Sequence, residues 1–318
     1  MKKQPKILIT NDDSIYAPGI KHLWNAIKEH SEPCIVAPKT EQSGVGLGIT
    51  FRTSLHIEKF LWDENTPAWS VSGTPADCVK VAASVLLQEA PDLIISGINK
   101  GLNAGRTVLY SGTIGGVIEG ILRGIPGIAF SSYDIHETEY ALFEPYIPKI
   151  VDFVLKNPLP AGTLLNVNFP SMSTLKKLGL ETVLGIKLTR QGRSYWVEQP
   201  ECRPEATSYM INAKLLECVE AENSDMHWLE KGYISCVPIH VDELTDWRYI
   251  KSHKELFDEI EPTPQPSFQK HLVSQVLDSA LFQENGVLEG FSAGDSIQKQ
   301  AGDLTDDPFQ TASTRHFS

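Results

Sequence analysis

The chain has 318 residues, 41% of them hydrophobic and 21% charged, and its formal net charge is -12 at pH 7. This length allows one large domain or two small ones, and the composition is that of an ordinary globular protein. The acidic balance gives no reason to expect nucleic acid or a membrane surface as a partner, and no apolar run is long enough to span a bilayer. We expect a cytoplasmic protein, because no secretory signal is visible and the five cysteines form no C-x-x-C pair.

Strands and helices alternate along the first half of the chain. In chain order the predicted elements are a strand at 7–9, a helix from Pro18, a strand at 34–37, extended segments at 49–58 and 69–71, a helix from Pro75, a strand at 92–96, a helix at 112–122 and a strand at 128–131. Such alternation is typical of βαβ units with right-handed crossovers. We therefore predict an α/β fold, a Rossmann-like three-layer sandwich with a mostly parallel sheet.

The pattern changes in the second half. After a strand predicted at 164–167, residues 183–241 show mainly strand and loop patterns, which predicts an antiparallel extension or an oligomerisation arm. The proline-spaced segment 261–266 has the composition of a linker, and a helix is predicted at 268–281 before a polar tail. We expect one domain over residues 1–250, with its core in about 1–170 and a β-rich segment in about 171–250, and an atypical tail over 251–318.

Two adjacent carboxylates, Asp12 and Asp13, follow the first predicted strand. Ligands of open α/β sheets bind beyond the carboxyl ends of the strands, so this pair lies where an active site is expected. Neighbouring carboxylates repel one another, and a hard cation such as Mg²⁺ or Mn²⁺ offsets that repulsion. The segment from Asn11 to Ser14 also suits a turn and a helix cap, so the motif alone leaves both interpretations open.

Two further loops are predicted at carboxyl ends of strands. Residues 37–46 follow the second strand, and residues 96–105 follow the third and continue to Ser111-Gly112-Thr113. A parallel sheet brings such loops together, and they offer carboxylate, hydroxyl and amide oxygens. The nine histidines show no H-x-x-x-H spacing, which argues against a histidine zinc site. This combination favours a hard metal with positions left for water and a phosphate oxygen.

Ser111-Gly112-Thr113 stands directly before a predicted helix of small residues. Backbone N–H groups at a helix N-terminus bind phosphate, and small residues allow a close approach to an oxyanion. The same triplet is equally suited to being a plain helix cap. The chain contains neither a P-loop motif nor a strand-linked G-x-G-x-x-G, so a P-loop enzyme and an ordinary dinucleotide binder are both disfavoured.

Five motifs occur in an order that resembles the stationary-phase survival protein SurE family. They are Ile9-Thr10-Asn11-Asp12-Asp13; Val36-Ala37-Pro38 with Gln42-Ser43-Gly44; Ser72-Gly73-Thr74-Pro75-Ala76-Asp77-Cys78-Val79; Ser96 to Gly105, read as SGINKGLNAG; and Tyr110-Ser111-Gly112-Thr113. The resemblance covers roughly the first 250 residues. Five motifs in the right order are far more specific than any one of them.

This resemblance implies a phosphatase that hydrolyses nucleoside monophosphates, a 5′-nucleotidase, with one divalent metal ion per subunit, Mg²⁺ or Mn²⁺. The implied metal ligands are Asp12, Asp13, Ser43 and Asn99. It also implies a Rossmann-like core and a swapped C-terminal segment that forms homodimers or homotetramers. Two departures stand out: Ser14 replaces the glycine that usually follows the aspartates, and the tail beyond about residue 250 has no counterpart in a typical member.

We assign catalysis to Asp12 and Asp13, as metal ligands, as a base or as a nucleophile, and favour attack by metal-activated water. The predicted phosphate-binding set is Asn11, Asn103, Ser111, Gly112 and Thr113. The sequence leaves open the preferred nucleotide, the physiological metal and whether 3′-nucleotides or polyphosphate are also cleaved. Two other hypotheses are a nucleotide-binding module without turnover and a receiver-like Mg²⁺-binding switch. A receiver needs an aspartate at the end of its third strand, where this chain has Ser96-Gly97.

Overall fold

A computed structural model describes residues 3–133, 137–202, 209–216 and 218–260. The chain divides into two compact units, Met1–Thr245 and Asp246–Ser318. The first unit contains the sheets, and the described part of the second contains one helix, Trp247–Asp258. The helix predicted at 268–281 and the polar tail lie outside the described residues.

A nine-stranded sheet forms the centre of the first unit. The described residues contain eleven strands, of which β9 and β10 form a separate pair. They are β1 (Lys6–Thr10), β2 (Glu32–Pro38), β3 (Ile57–Lys59), β4 (Ala68–Val71), β5 (Leu93–Lys100), β6 (Gly127–Ser132), β7 (Thr163–Phe169), β8 (Ile186–Leu188), β9 (Tyr195–Cys202), β10 (Tyr209–Leu216) and β11 (Ile234–His240). Their order in the large sheet is β3-β4-β2-β1-β5-β6-β7-β11-β8. From β4 to β7 every neighbouring pair is parallel, whereas β3 and β11 pair antiparallel to β4 and β7.

Helices cover both faces of this sheet. In the first unit they are α1 (Pro18–Ile27), α2 (Pro75–Val81), α3 (Gly112–Ile121), α4 (Glu137–Phe143), α5 (Ile147–Lys156), α6 (Met172–Lys177) and α7 (Asp225–Glu230). The helix of the second unit, Trp247–Asp258, is α8. A π-helical turn, Ala82–Leu86, extends α2, and a 3₁₀ helix, Gly105–Tyr110, precedes α3. The helices that begin at Pro18, Pro75 and Gly112 confirm the sequence-based predictions.

The three-layer arrangement follows from the alternation of side chains along buried strands. Ile7 and Ile9 pack in a core with α1, α4 and α5. Leu8, which points to the opposite face, packs in a second core with α2. Because both faces of β1 are covered, its apolar run is continuous, and each such side chain contributes roughly 1.5–3 kcal/mol by burial. The predicted α/β sandwich with a mostly parallel sheet is confirmed.

The third predicted strand is longer than its hydrophobic run. β5 continues to Lys100, with an irregular register against β6 between Ser96 and Asn99. Gly97 makes this possible: its φ is +129°, and a Cβ there would lie 2.2 Å from the carbonyl oxygen of Phe130. The prediction that 97–105 is a loop is therefore wrong for its first four residues, and Asn99 lies on the strand.

The later elements differ from the expected pattern in three places. Only Ile57–Lys59 of the segment around 49–58 is a strand, at one edge of the large sheet. β8 and β11 join that sheet, while β9 and β10 form a separate antiparallel pair that corresponds to the predicted extension. The helices from α4 to α8 were not predicted; α6 and α7 have only six residues each, which gives little helical periodicity. In the described part of the chain, none of the helices has the length and apolarity needed to cross a membrane.

Candidate functional site

A cavity of about 470 Å³ opens at the carboxyl edge of the parallel strands. Five of the nine predicted site residues line it, and they come from segments far apart in sequence: Asp12, Ser43, Asn99, Asn103 and Ser111. Asp12 follows β1, and the loop that contains Ser43 follows β2. Asn99 is the second-last residue of β5. The predicted convergence of these loops is therefore present in the structure.

Asp12 is the one carboxylate that lines the cavity among the described residues, and 4% of its surface is exposed. Its Oδ1 accepts a hydrogen bond of 2.6 Å from the hydroxyl of Thr113. Burial raises the pKa of Asp12 to about 6, against the lowering effect of the Thr113 hydrogen bond, and the charge of Asp13 adds to the rise. A buried carboxylate with a raised pKa in a cavity is a typical functional group.

The N-terminus of α3 is built around this carboxylate. A Cβ at Gly112 would lie 2.8 Å from the Cβ of Asp12 and 3.0 Å from its Oδ2, so only glycine fits. Thr113 is fully buried and does not line the cavity. Its hydroxyl donates its single proton to Asp12 in this structure, and its predicted contact with a substrate phosphate stays a prediction. Ser111 caps α3 through Ile114 N–H and also lines the cavity.

Asp13 lies beside the cavity and does not line it. Its Oδ2 accepts a 2.9 Å hydrogen bond from the backbone N–H of Lys100. Burial raises the pKa of Asp13, and both this hydrogen bond and the charge of Lys100 oppose the rise. The contact depends on β5 continuing past Gly97, because that continuation brings residues 99 and 100 beside the β1 loop.

The remaining donors suit a hard cation. Asn99 donates its Nδ2 to the carbonyl oxygen of Gly101 at 2.8 Å, which leaves its Oδ1 as the atom available to a metal. The hydroxyl of Ser43 donates to Glu41 at 2.6 Å and retains lone pairs. Among the described residues no group of three or more His, Cys, Asp and Glu side chains could hold a metal ion. A metal here would use mixed oxygen donors with incomplete protein coordination, and the residues present fit Mg²⁺ or Mn²⁺.

The two predicted asparagines have internal partners. Asn103 donates Nδ2 to Ser131 Oγ at 2.7 Å and approaches Thr113 Oγ1 at 3.4 Å. Asn11 donates Nδ2 to the carbonyl oxygen of Ser14 at 2.7 Å, while its buried Oδ1 has no hydrogen-bond partner among the described residues. Asn11 does not line the cavity, so of these two only Asn103 is placed to meet a ligand.

Buried amides that the sequence reasoning missed hold the Asn103 loop. Asn168 accepts from Asn103 N–H at 2.8 Å, and Asn166 and Gln191 donate to the Asn103 carbonyl oxygen at 2.8 and 3.3 Å. Asp225, fully buried, accepts from Gly105 N–H at 2.9 Å. The sequence signal for these contacts was the pair of alternate asparagines inside the hydrophobic run of β7. Buried polar groups in a strand need hydrogen-bond partners, so these asparagines indicated a buried polar network.

Thr113→Val should weaken metal binding. It keeps the shape of the side chain but removes the donor that stabilises the Asp12 carboxylate, a loss of about 1–3 kcal/mol for a buried charged group. Calorimetric titration of Mn²⁺ into the variant measures the effect, and Thr113→Ser, which retains the hydroxyl, is the control. If the Mn²⁺ affinity were unchanged and the KM for nucleotide were raised, the Thr113 hydroxyl would instead be assigned to binding the substrate phosphate.

Ser14→Gly should stabilise the protein. In the part of the chain that the structure describes, Ser14 is the one non-glycine residue with a positive φ, +87°. A left-handed conformation costs a residue with a Cβ about 1–2 kcal/mol, partly offset by the greater freedom of glycine when unfolded, so a gain of up to about 1 kcal/mol is expected. Urea unfolding tests this. Ser14→Ala keeps the Cβ and should not increase the free energy of unfolding. If it increased that free energy as much as Ser14→Gly does, the gain would come from removing the hydroxyl and not from relieving the backbone.

The fold and the cavity together define a Rossmann-like α/β protein with an oxygen-donor site at the carboxyl edge of its sheet. The family model for Survival protein SurE matches residues 7–198, and the chain belongs to this family.

Similar proteins agree with this membership. The chain is 46% identical over 263 residues to the 5'-nucleotidase SurE of Protochlamydia amoebophila (strain UWE25), covering 81% of this chain and 98% of that protein. It is 42% identical to the 5'-nucleotidase SurE of Christiangramia forsetii, covering 79% and 96%. Among solved structures, the SurE protein from Aquifex aeolicus aligns with a TM-score of 0.68 at 36% identity, covering 80% of this chain and all of that one.

Proposed function

We propose that this chain is a metal-dependent 5′-nucleotidase that hydrolyses nucleoside monophosphates to a nucleoside and phosphate. The observation that carries the proposal is the shared cavity of Asp12, Ser43 and Asn99, in a chain whose relatives are named 5'-nucleotidase. Asp12, Asp13, Ser43 and Asn99 would hold one Mg²⁺ or Mn²⁺ ion. Such an ion supplies positive charge for the phosphate oxygens and lowers the pKa of a bound water.

The chain's own residues divide the work of binding and orientation. Thr113 and Gly112 fix the Asp12 carboxylate, and the backbone of Lys100 fixes that of Asp13. Ser111 and Asn103 face the cavity as polar groups for the phosphate. The apolar part of the same cavity, formed by Leu102, Tyr110, Tyr133 and Met226, offers a surface for the nucleoside.

Phosphate release from AMP in the presence of Mn²⁺ tests this function. EDTA should abolish release, and added Mn²⁺ or Mg²⁺ should restore it, while full activity in chelator would exclude a metal-dependent reaction. A panel of nucleoside monophosphates, 3′-nucleotides and polyphosphate gives the preference. Binding of AMP without any release would favour the nucleotide-binding module. A receiver-like switch is disfavoured, because no aspartate lies on β5.

We also propose the domain organisation and assembly expected from the sequence. Residues 1–250 would form the phosphatase domain, and a homodimer or homotetramer would use the segment 171–250. Exposed apolar side chains of this segment support the assembly: Ile211 of β10 is 64% exposed, and Trp247, the first residue of α8, is 60% exposed. The five cysteines form no C-x-x-C pair, which supports a cytoplasmic location.

A chain ending at Glu261 should keep its kcat for AMP. Among the residues that the structure describes, those that line the proposed site all precede residue 227, and the proline-spaced segment begins at Glu261. The measurement is steady-state hydrolysis by the shortened and full-length chains at equal protein concentration, with the oligomeric state followed by light scattering. A loss of kcat without a change in oligomeric state would mean that the tail contributes to the site itself.

A further inference from the structure

Lys100 is the one lysine or arginine that lines the cavity, counting the residues that the structure describes. It is the last residue of β5, directly after the proposed metal ligand Asn99, and its side chain is exposed. Its backbone N–H holds Asp13 at 2.9 Å. The main chain of Lys100 is thus held at the Asp13 carboxylate, in a residue that lines the cavity and is exposed.

The charges of the site require such a group. Two aspartates and one divalent ion sum to no net charge, whereas a phosphate monoester carries close to two negative charges at neutral pH. The whole chain has a net charge of -12, so the general field of the protein repels this substrate. A lysine in the cavity supplies the missing attraction as a point charge with three donors.

We propose that the ammonium group of Lys100 binds the non-bridging oxygens of the substrate phosphate and thereby makes the cavity selective for phosphate monoesters over uncharged nucleosides. This proposal rests on the proposed function, and it adds a residue that the phosphate-binding set from sequence did not contain. The competing role is that of a counter-ion to Asp13, whose pKa the charge of Lys100 lowers. A counter-ion acts on metal affinity, whereas a phosphate ligand acts on substrate and product affinity.

The test compares Lys100→Met and Lys100→Arg with the full-length protein. Methionine keeps much of the length of the side chain and removes its charge, and arginine restores the charge. Lys156→Met is the matched control. Lys156 is the last residue of α5, which precedes the amino end of β7, whereas the cavity lies at the carboxyl ends of the strands. It is exposed, and the described residues give it a 3.6 Å surface ion pair with Asp152. Four quantities are measured: KM for AMP, inhibition constants for inorganic phosphate and for adenosine, and the Mn²⁺ dissociation constant by calorimetry.

Lys100→Met should raise KM for AMP and the inhibition constant for phosphate by about tenfold, as expected for a lost charged hydrogen bond. The inhibition constant for adenosine and the Mn²⁺ dissociation constant should stay within about twofold, and added salt should shrink the difference from the parent protein. Lys100→Arg should recover most of the loss, and Lys156→Met should show none.

Unchanged KM and phosphate inhibition in Lys100→Met would overturn the proposal, as would a loss confined to Mn²⁺ affinity, which would assign Lys100 to Asp13. Failure of the proposed function is distinguishable, because the parent protein would then release no phosphate from AMP. In that case calorimetric binding of inorganic phosphate to the Mn²⁺-loaded protein still decides the role of Lys100: a tenfold weakening in Lys100→Met supports it, and equal binding contradicts it.

Discussion

Asp12→Asn is expected to abolish metal binding and turnover and, at the same time, to stabilise the metal-free protein at neutral pH. The pKa of Asp12 is raised from 3.8 to about 6 in the folded state. The folded protein therefore favours the protonated carboxyl, and the buried charge destabilises it most fully above pH 6. The variant has no charge to bury, and its amide oxygen can still accept the hydrogen bond from Thr113. The gain at pH 7.5 is up to about 3 kcal/mol.

The pH dependence makes this expectation specific. As pH falls from about 6 towards 3.8, the carboxyl becomes protonated in the folded state first, so the destabilisation and the advantage of the variant should both disappear. Urea unfolding in EDTA between pH 4 and pH 8 measures it. Asp152→Asn, at an exposed helix position, is the control and should show no such trend. A variant that is less stable than the parent at every pH, or one that still binds Mn²⁺, would contradict the assignment of Asp12.

Much of this site could be anticipated from the sequence. In a parallel sheet, the local pattern that marks the end of each strand also shows which distant loops lie together. The apolar run at 7–9 ends in carboxylates, and strand ends in such a sheet share one edge. That rule alone brings Asp12, Ser43 and Asn99 to one cavity although they are up to 87 residues apart. The resemblance to a known family then supplied the chemical roles, which hydrophobic periodicity does not contain.

Contacts that depend on exact register could not be anticipated in the same way. Gly97 looked like the start of a loop, because nothing in the local pattern showed that the chain would bulge and resume pairing. Thr113 was predicted to bind phosphate at a helix terminus. Its hydroxyl donates a hydrogen bond to Asp12, and the local sequence pattern does not show that contact. Met226 reaches the cavity from α7, and no local periodicity links that short helix to β1.

The contact between α3 and Asp12 leads to the second large effect: Gly112→Ala should weaken Mn²⁺ binding at least about tenfold and reduce turnover at least as much. An added Cβ would lie 2.8 Å from the Cβ of Asp12 and 3.0 Å from Cγ1 of Val45, so the carboxylate must move out of place. Overpacking of this kind costs about 1–3 kcal/mol. Alanine is the better helix former, so loss of the helix would not explain the effect.

Gly116→Ala on the same helix separates the local contact from general crowding. Its Cβ would meet Thr10 Cγ2 at 3.1 Å and Pro75 Cβ at 3.2 Å, tight contacts that do not involve Asp12. We expect it to lose some stability while keeping metal affinity and kcat, whereas Gly112→Ala keeps its circular dichroism spectrum and loses both. Equal Mn²⁺ affinity in the two variants would mean that the Asp12 carboxylate binds the metal from a position that the α3 terminus does not control.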